Sequence, residues 1–458
     1  MKRLFGTDGI RGKAGEFPLD AATVRVIGRS LAQHLEEKTG KNTQIVVGRD
    51  TRESGPWIEQ ALIVGAHEAG AQVKSAGVIT TPGVAFLART LPADAGVVIS
   101  ASHNPYYDNG IKVFQPSGRK LDDAVERQIE ADISNSEDTA SGNDDDASET
   151  MSSDESGELQ NRYADYLTSE VASNLSLANL KIVMDCANGA SYAIAPDVFR
   201  RLGANVVAIN HQPDGHNINL NCGSLHIESL QKRVVAERAD LGVAFDGDAD
   251  RALFVDNAGE FVDGDATLWV LANDFRTRDK LCGDMVVATV MSNIGLELAF
   301  RARGISLTRT DVGDKYVLDE LLRGGATLGG EQSGHIIFPS VSLAGDGIIT
   351  TIMLLRAMQE RKQTLSHLAR GFQRYPQLLL NVRVSEKRPF EDLPTVQQAA
   401  REVEESLDGR GRLLLRYSGT EPLARIMIEG EDEARIRQDA EKIAEAIRKE
   451  IGIAEAEN

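Results

Sequence analysis

The chain has 458 residues, 41% of them apolar and 26% charged, and it carries a formal net charge of −19. This length is too great for one hydrophobic core and predicts about three or four folded domains. The strong negative charge argues against a nucleic-acid partner and against binding to an anionic membrane surface.

The spacing of the cysteines and the first residues of the chain indicate the cellular compartment of the protein. Cys186, Cys222 and Cys282 are widely separated and lack Cys-x-x-Cys spacing, so the sequence predicts neither a disulfide framework nor a zinc site. Residues 1–5 contain no apolar core of a signal peptide, and no later apolar run is long enough to span a bilayer. We therefore expect a cytoplasmic protein with no membrane partner.

A glycine-rich run, Gly-Thr-Asp-Gly-Ile-Arg-Gly, follows at residues 6–12. Its spacing matches neither the dinucleotide-binding pattern nor the P-loop pattern, so it does not indicate nucleotide binding. Arg11 within this run is a candidate ligand for a phosphate group.

Three parts of the chain repeat one order of predicted elements: a strand, a helix, a second strand, and a third strand followed by a polar motif. The predicted strands are 44–48, 70–78 and 96–99, then 181–185, 203–209 and 241–245, then 285–291, 304–308 and 326–329. Helices are expected at 57–69, after 185, and up to Arg303. This alternation predicts α/β layers with mixed or parallel sheets, in which the polar loops beyond the strand ends face one cleft.

The first polar motif is Ser-Ala-Ser-His-Asn-Pro at residues 100–105. It places the hydroxyl of Ser102 at the end of an apolar strand, beside the imidazole of His103. The Asn-Pro pair and a later Asn-Gly pair favour turns, and Lys112 follows where its ammonium can return to the site as a phosphate contact or proton donor. A loop-capping hydroxyl is the plain alternative. We interpret Ser102 as a nucleophile that can carry phosphate.

Residues 134–158 are rich in Ser, Asp and Glu and hold nine carboxylates with no Lys or Arg. So few apolar side chains cannot offset the entropy cost of ordering the segment. We expect a disordered insertion at the end of the first domain. An acidic, partner-binding or regulatory segment is the alternative.

The second motif, Asp-Gly-Asp-Ala-Asp-Arg at residues 246–251, follows the predicted strand 241–245. Three like charges this close repel one another unless a cation or several donors neutralise them, and Arg251 alone is insufficient. Carboxylate oxygens are the ligands that Mg²⁺ prefers. We interpret Asp246, Asp248 and Asp250 as a Mg²⁺ site, with a solvated acidic turn as the alternative.

The third motif is Gly-Glu-Gln-Ser-Gly-His at residues 330–335. Glu331 and Ser333 can bind sugar hydroxyls or an amino group, and His335 has a side chain suited to proton transfer near neutral pH. A capped loop with a surface histidine would have a similar sequence.

From about residue 372 the pattern changes to a smaller α+β domain, with strands at 378–384, 412–417 and 425–429 and helices at 395–407 and from 433. One loop of this domain combines guanidinium groups, hydroxyls and a glycine that exposes backbone N–H groups, which suits a phosphate dianion. Its members are Arg416, Ser418, Gly419, Thr420 and Arg425. Plain surface charges are the alternative for the two arginines.

Taken together, these segments resemble the α-D-phosphohexomutase superfamily and, within it, the mutases that act on glucosamine phosphates. The likeness covers residues 5–12, 100–112, 185–190, 246–251, 291–293, 312–316, 330–335 and 418–422. The resemblance implies three similar mixed-sheet α/β domains plus a smaller C-terminal α+β domain around a central cleft. We expect boundaries at 1–158 for the phosphoserine domain, 159–257 for the metal-binding domain, 258–371 for the sugar-binding domain and 372–458 for the phosphate-binding domain.

The same resemblance implies the chemistry. Ser102 would be a phosphoserine that also contributes an oxygen to one Mg²⁺ held by Asp246, Asp248 and Asp250. The enzyme would interconvert glucosamine 6-phosphate and glucosamine 1-phosphate through a sugar 1,6-bisphosphate, supplying precursors of UDP-N-acetylglucosamine for cell-wall synthesis. The C-terminal loop would bind the phosphate that does not react. Arg11, His103, Lys112 and His335 are candidates to stabilise charge or move protons, and Arg251, Glu331 and Ser333 to bind the sugar phosphate.

Two departures from the superfamily pattern have structural consequences. Ala249 stands where Gly is more usual in the metal loop, which is tolerated at negative φ and strained at positive φ. Tyr417 stands where Lys is common beside the phosphate loop, which removes one cation.

Three alternatives and one assembly question stay open. A phosphomannomutase or phosphoglucomutase would use the same mechanism on another sugar. A metal-dependent phosphatase and a silent sugar-phosphate-binding protein belong to other functional classes. The oligomeric state, including a homodimer, is not fixed by the sequence.

Overall fold

The structure is a computed structural model that describes residues 3–6, 8–136, 154–418 and 421–453. The chain forms two compact units, Met1–Val290 with Thr308–Ala369, and Met291–Leu307 with Arg370–Asn458. In the described ranges, no helix is both long enough and apolar enough to cross a bilayer.

The larger unit begins with a six-stranded sheet. Its strands are Phe5–Gly6 (β1), Gly9–Lys13 (β2), Gln44–Arg49 (β3), Gln72–Val78 (β4), Ala95–Ile99 (β5) and Asp108–Phe114 (β6). They lie in the order β1-β2-β6-β5-β3-β4, with β3 parallel to β4 and β5 and the other pairs antiparallel. The associated helices are Ala21–Thr39 (α1), Gly55–Glu68 (α2), Thr81–Thr90 (α3) and Asp123–Asn135 (α4).

Local sequence explains where these elements begin and end. The Asp20 side chain accepts a hydrogen bond from the backbone N–H of Thr23 and so caps α1, which ends at Gly40 in the left-handed conformation. All five residues of β5 are buried and apolar or small, as a central strand covered on both faces requires. This strand carries the serine motif out of the core.

The second sheet has five strands in the order β11-β10-β9-β7-β8. Its elements are the helix Asp154–Asp165 (α5), a π-helical turn at Tyr166–Val171, Lys181–Asp185 (β7), Ile194–Arg201 (α6), Asn205–Ile209 (β8), a 3₁₀ turn at Gly223–Leu225, Glu228–Glu237 (α7), Leu241–Phe245 (β9), Ala252–Asp256 (β10) and Phe261–Val262 (β11). The strand β9 is parallel to β7 and fully buried, and it leads directly into the aspartate motif.

The third sheet has four strands in the order β13-β12-β14-β15. Its region comprises Gly264–Thr277 (α8), a 3₁₀ turn at Cys282–Asp284, Met285–Thr289 (β12), Ile294–Ala302 (α9), Ser306–Thr310 (β13), Asp314–Gly324 (α10), Gly329–Gly330 (β14), Ile336–Ile337 (β15), Gly347–Arg361 (α11) and Leu365–Leu368 (α12). The loop between the antiparallel strands β14 and β15 carries the third polar motif.

The C-terminal part of the smaller unit is an antiparallel three-stranded sheet with helices. Its elements are Gln377–Arg383 (β16), a 3₁₀ turn at Phe390–Asp392, Pro394–Leu407 (α13), Arg412–Tyr417 (β17), Leu423–Glu429 (β18) and Glu433–Ile451 (α14). The strand order is β16-β18-β17. The prediction of mixed α/β sheets followed by a smaller α+β region is confirmed.

The predicted elements match closely, with two differences. The predicted strand 326–329 overlaps the observed two-residue strand β14 only at Gly329. The predicted disordered stretch is wrong at both ends, because α4 runs to Asn135 and α5 begins at Asp154. Leu159 and Tyr163, one helical turn apart, are buried and anchor α5 on the core. Residues 137–153 lie outside the described residues.

Candidate active site

Ser102 lies three residues beyond β5 and is 1% exposed. Its Oγ donates a hydrogen bond to Oδ2 of Asp246 at 2.6 Å, which joins the first polar motif to the second. The backbone of Ser102 has φ 53°, in the left-handed region that non-glycine residues adopt at a cost. The surroundings must therefore hold the nucleophile candidate in this conformation.

The three aspartates of the second motif are buried and form one cluster. Carboxylate oxygens from Asp246, Asp248 and Asp250 lie within 4.8 Å of one another. One oxygen of Asp248 and one of Asp250 are buried and have no hydrogen-bond partner. Hard carboxylate oxygens without donors are the set that a divalent cation such as Mg²⁺ binds. The cluster therefore fits a metal ion, and its charge is incompletely neutralised without one.

The backbone of the aspartate loop is tightly packed against its neighbours. A Cβ at Gly247 would lie 2.4 Å from the carbonyl oxygen of Ser102, and a Cβ at Gly189 would lie 2.3 Å from the carbonyl oxygen of Gly247. Both positions therefore need glycine. Ala249 has φ 57°, so it occupies the strained conformation rather than the tolerated one.

Lys112 supplies a fixed positive charge beside the aspartates. Its Nζ lies 2.8 Å from Asp248, 3.0 Å from Asp8 and 3.6 Å from Asp250, and its side chain is 1% exposed. Burial lowers the pKa of Lys112, but the three carboxylates outweigh burial and raise it above the usual value. Lys112 is thus positively charged across the physiological pH range.

The carboxylates of the cluster are electrostatically unequal. Burial, with Asp250 and Asp248 close by, raises the pKa of Asp246 well above its usual value. Burial also acts to raise the pKa of Asp250, but Lys112, His335 and Arg251 outweigh it and lower that pKa. Asp246, the carboxylate with the raised pKa, is the one that accepts the hydrogen bond of Ser102.

His103 contacts both Ser102 and Arg251 through one nitrogen. Its Nδ1 lies 3.3 Å from Oγ of Ser102 and 3.2 Å from Nη1 of Arg251. Because Arg251 can only donate, Nδ1 acts there as an acceptor. Burial, with Arg251 and Arg11 nearby, lowers the pKa of His103 to about 4. The ring is therefore neutral at pH 7.

His335 lies beside Asp250 of the aspartate cluster, in the loop between β14 and β15. Its Nδ1 is 3.7 Å from Asp250 and its Nε2 is 3.8 Å from Asp314. Burial alone would lower the pKa of His335, but Asp250, Asp314 and Glu331 outweigh burial and raise it to about 9. Nε2 is buried and has no hydrogen-bond partner.

Glu331 and Ser333 belong to the same short loop, where the Ser333 hydroxyl donates to Glu331 at 3.2 Å. The other oxygen of Glu331 accepts the backbone N–H of Gly313 at 3.1 Å. The carboxylate is therefore held in one orientation. Its field also acts on Arg251 and His335.

Several charged residues of this cluster were not predicted from the sequence. Asp8 forms ion pairs with Arg11 and Lys112 and lies 2.6 Å from Lys120, which in turn lies 2.7 Å from Asp314. Asp8 lies in the glycine-rich run 6–12, in which Arg11 was predicted as a phosphate ligand. An acidic side chain three residues before Arg11 could have indicated a charged cluster. Lys120 is a single charge in an ordinary context and gave none, whereas Asp314 lies in the run 312–316, which contributed to the resemblance but was given no role.

Two arginines of this charged cluster, Arg11 and Arg251, retain an unused donor. Nε of Arg11 and Nε of Arg251 are buried without a hydrogen-bond partner. An unsatisfied buried guanidinium donor is costly and is best explained by an anionic ligand. The structure therefore brings together Ser102, His103, Lys112, Arg11, His335, Asp246, Asp248, Asp250 and Arg251 in one buried, charged cluster.

The smaller unit holds the predicted site residues of the C-terminal phosphate loop. Arg416 and Arg425 are directly paired across the antiparallel strands β17 and β18. Like charges in this position repel each other unless an anion lies between them. Arg425 also donates to the Ser418 hydroxyl at 3.3 Å, and its Nε is buried without a hydrogen-bond partner. Gly419 and Thr420 lie outside the described residues.

Tyr417 and Lys387 modify the prediction for this loop. Tyr417 stacks on Phe390 with ring centroids 4.4 Å apart, and its hydroxyl donates to the carbonyl oxygen of Arg388 at 2.5 Å. Tyr417 is therefore a packing residue. Lys387 donates to the carbonyl oxygen of Ser418 at 2.5 Å and places another cation at the loop.

Family models of known domains match almost the whole chain. Domains I, II and III of the phosphoglucomutase/phosphomannomutase α/β/α series match residues 2–140, 161–259 and 263–375. The C-terminal domain of the same series matches residues 379–446.

Two similar relatives are named phosphoglucosamine mutase. The protein of Solibacter usitatus is 50% identical over 98% of this chain and 99% of its own length. The protein of Symbiobacterium thermophilum is 49% identical over 98% of this chain and 100% of its own length.

Solved structures share the fold at low sequence identity. A phosphoglucomutase/phosphomannomutase family protein from Burkholderia thailandensis has a TM-score of 0.79 and 23% identity, covering 99% of this chain and 100% of its own. The N-acetylphosphoglucosamine mutase of Aspergillus fumigatus, solved with GlcNAc-6P and magnesium, has a TM-score of 0.64 and 16% identity, covering 97% and 95%. With all four domain models matched in order, the chain belongs to the phosphoglucomutase/phosphomannomutase family.

Proposed function

We propose that this chain is a phosphoglucosamine mutase, which interconverts glucosamine 6-phosphate and glucosamine 1-phosphate. The observation that carries the proposal is the 2.6 Å hydrogen bond between Ser102 and Asp246, in a buried cluster of three carboxylates. The names of relatives about half identical over their full length support the amino sugar as substrate.

The proposed reaction consists of two phosphoryl transfers. The phosphoserine at Ser102 gives its phosphoryl group to the free sugar oxygen: the serine P–O bond breaks, a sugar P–O bond forms, and the sugar hydroxyl proton ends on the Ser102 oxygen. The resulting 1,6-bisphosphate reorients and returns its other phosphoryl group to the Ser102 oxygen: that sugar P–O bond breaks, the serine P–O bond forms again, and the Ser102 proton ends on the released sugar oxygen. No phosphate is released to water, so the reaction is an isomerisation.

Asp246, Asp248 and Asp250 would hold Mg²⁺ together with an oxygen of the phosphoserine. The ion neutralises charge on the transferring phosphoryl group when it is bound. Asp246 additionally accepts the hydrogen bond of the Ser102 hydroxyl when the serine is unphosphorylated.

The remaining residues bind and orient the sugar phosphate. Arg11, Arg251 and His335 each have a buried N–H group or ring nitrogen free to contact a phosphate or sugar oxygen. Lys112 keeps its positive charge against the carboxylates. Glu331, held by Gly313 and Ser333, presents a fixed carboxylate that suits a sugar hydroxyl or ammonium.

Arg416 and Arg425, with Ser418, are proposed to bind a phosphate group that does not react. Their cross-strand pairing and the unused Nε of Arg425 support this role. Gly419 and Thr420 are included on their sequence position alone.

The domain boundaries at residues 158, 257 and 371, a cytoplasmic location and a homodimer stay predictions. Size-exclusion chromatography with light scattering decides between a monomer and a homodimer.

Turnover of three sugar 1-phosphates tests the proposed function directly. Glucosamine 1-phosphate, glucose 1-phosphate and mannose 1-phosphate are compared with Mg²⁺ and a trace of the matching 1,6-bisphosphate. A clear preference for the amino sugar supports the proposal. A preference for glucose or mannose keeps the mechanism and makes the enzyme a phosphoglucomutase or phosphomannomutase. Steady release of inorganic phosphate instead indicates a phosphatase.

A further inference from the structure

The loop that carries Ser102 is held by a buried arginine that makes no contact assigned above. We propose that Arg52 is a positioning residue for the nucleophile: it fixes the backbone of residues 102–108 so that Ser102 keeps its left-handed conformation. The inference rests on the proposed function, because it concerns the serine that would carry the phosphoryl group.

Every donor of the Arg52 guanidinium is used inside the protein. Its Nε donates to Asp50 at 2.9 Å, and its side chain is 0% exposed. The two Nη atoms donate to four backbone carbonyl oxygens of one loop, those of Ser102 at 3.0 Å, Asn104 at 2.8 Å, Asp108 at 3.0 Å and Pro105. A guanidinium has five N–H donors, so none remains for a phosphate. This separates Arg52 from Arg11 and Arg251, which retain a free Nε.

Asp50, acting through Ser100, also fixes the backbone N–H of Ser102. The carboxylate that accepts from Arg52 also accepts the hydroxyl of Ser100 at 2.6 Å. The Ser100 oxygen in turn accepts the backbone N–H of Ser102 at 2.9 Å. Both the N–H and the C=O of Ser102 are therefore fixed by one buried ion pair.

These hydrogen bonds keep Ser102 in a backbone conformation that serine does not favour. A serine at φ 53° lies in the left-handed region that non-glycine residues adopt only at a cost, so a loosened loop would move to a commoner conformation. The Ser102 oxygen would then leave its position 2.6 Å from Asp246. Two successive phosphoryl transfers need that oxygen in one place each time, and a displacement of about 1 Å can cost on the order of 100-fold in rate.

Lysine cannot replace arginine in this position. An ammonium has three donors and no planar fork, so it cannot reach four carbonyl oxygens and Asp50 together. The variant Arg52→Lys keeps the buried positive charge but loses most of the hydrogen bonds that the planar guanidinium makes to the loop. A matched control is Arg356→Lys, because Arg356 also donates to backbone carbonyl oxygens, those of Val171 and Ser173.

The experiment compares kcat, KM and thermal midpoint in the full-length protein with Mg²⁺. For Arg52→Lys we expect kcat to fall about 100-fold, with KM for the sugar phosphate within about twofold of the wild type. Arg356→Lys should leave both parameters unchanged. A kcat near the wild-type value in folded Arg52→Lys overturns the proposal, as does a change confined to KM.

A milder pair of variants keeps the test decisive if Arg52→Lys does not fold. Ser100→Ala removes the acceptor of the Ser102 N–H, whereas Ser30→Ala removes a buried serine with the same 2.6 Å bond to a carboxylate, that of Asp132. We expect Ser100→Ala to lower kcat about tenfold at constant KM, as about 1.4 kcal/mol of lost positioning would. Equal kcat values in the two variants contradict the role of the Asp50–Arg52 pair.

Wild-type turnover tests the proposed function separately. If the wild type is inactive on every sugar phosphate, that function fails, and amide hydrogen exchange of residues 102–108 still tests the loop. Faster exchange there in Arg52→Lys but not in Arg356→Lys supports the hold. Equal exchange in both variants overturns it.

Discussion

The serine loop (residues 100–108) and the metal loop (residues 246–251) have similar backbone arrangements but differ in how their polar groups are satisfied. Each follows a fully buried strand, and each contains a non-glycine residue in the left-handed conformation, Ser102 and Ala249 respectively. The serine loop has its carbonyl oxygens satisfied by Arg52 and by Asn219, which donates to the Ser102 carbonyl at 2.9 Å. The metal loop instead leaves buried carboxylate oxygens without donors.

In the serine loop the protein itself supplies the hydrogen-bond donors, whereas the carboxylates of the metal loop need a bound cation to neutralise their charge. Closed hydrogen bonding makes the serine loop rigid, so its oxygen stays in place without substrate. Unpaired carboxylates make the metal loop unstable by itself, so its conformation should depend on a cation. We expect a variant in the serine loop to keep the stabilisation by Mg²⁺ and a variant in the metal loop to lose it.

Ser102→Ala should have the largest effect. We expect turnover to fall by at least about 10⁴-fold, because the only oxygen assigned to accept the phosphoryl group is gone. The Mg²⁺-dependent rise in thermal midpoint should persist, since the three aspartates remain. Turnover near the wild-type level in a folded variant contradicts the nucleophile assignment.

Asp248→Asn should remove the response of the metal loop to Mg²⁺. In the wild type, Mg²⁺ at about 100 times its dissociation constant should raise the free energy of unfolding by about 2.7 kcal/mol. Asp248→Asn should lose most of that gain and, in EDTA, be less stable than the wild type because the buried ammonium of Lys112 loses its nearest carboxylate partner. The control Asp256→Asn changes a buried turn carboxylate that accepts two backbone N–H groups. An equal Mg²⁺ response in both variants would show that the cluster is not the metal site.

Asp346→Asn tests the support behind the metal loop. Asp346 caps α11 through Ile348 and Ile349, and the first N–H of that helix, at Gly347, donates to the Ala249 carbonyl at 3.0 Å.

Burial raises the pKa of Asp346 to about 6, against roughly 3.9 for an unfolded chain. The raised value contributes stability that is fully present below pH about 4 and is lost as the pH rises through about 6. Relative to Asp346→Asn, the wild type should therefore lose about 2–3 kcal/mol between pH 4 and pH 6.5. Parallel urea unfolding curves at pH 4, 5 and 6.5 check this, and a constant difference would refute it.

Ala249→Gly should have the smallest effect. Glycine relieves the left-handed strain at φ 57°, but it adds chain entropy to the unfolded state and loses a buried methyl group. These contributions nearly cancel, so we expect the free energy of unfolding to change by less than about 1 kcal/mol, with kcat unchanged. A larger loss would mean that the Ala249 methyl group, not the loop backbone, sets the geometry of the site.

Most of the fold was predictable because each element carries its own local signal. The strands Lys181–Asp185, Leu241–Phe245 and Arg412–Tyr417 lie where continuous apolar or alternating patterns placed them. The ends of the acidic stretch were not predictable, because α5 is stabilised by distant contacts such as the bond from Gln160 to the Ala76 carbonyl. Composition alone does not report such contacts.

The candidate site was predictable to the extent that its chemistry is local in sequence. Ser102 and the three aspartates follow strand ends and have distinctive neighbours, so their residue types were sufficient. Arg52, Asp8, Lys120 and Asp314 were missed, because the contacts that bring them into the site, such as Arg52 with Ser102 and Asp8 with Lys112, join residues far apart along the chain.

The sequence by itself determined the repeated order of strands and helices in three parts of the chain, the change to a smaller C-terminal domain, the family, and the residue types that suit phosphoryl transfer. These depend on short-range patterns of polarity, turn residues and charge. Only the tertiary structure decided which donors meet which acceptors: Ser102 with Asp246, Arg52 with four loop carbonyls, and Lys112 with three carboxylates. Such pairings depend on how separate strands and helices pack, because burial forces distant polar groups to satisfy one another.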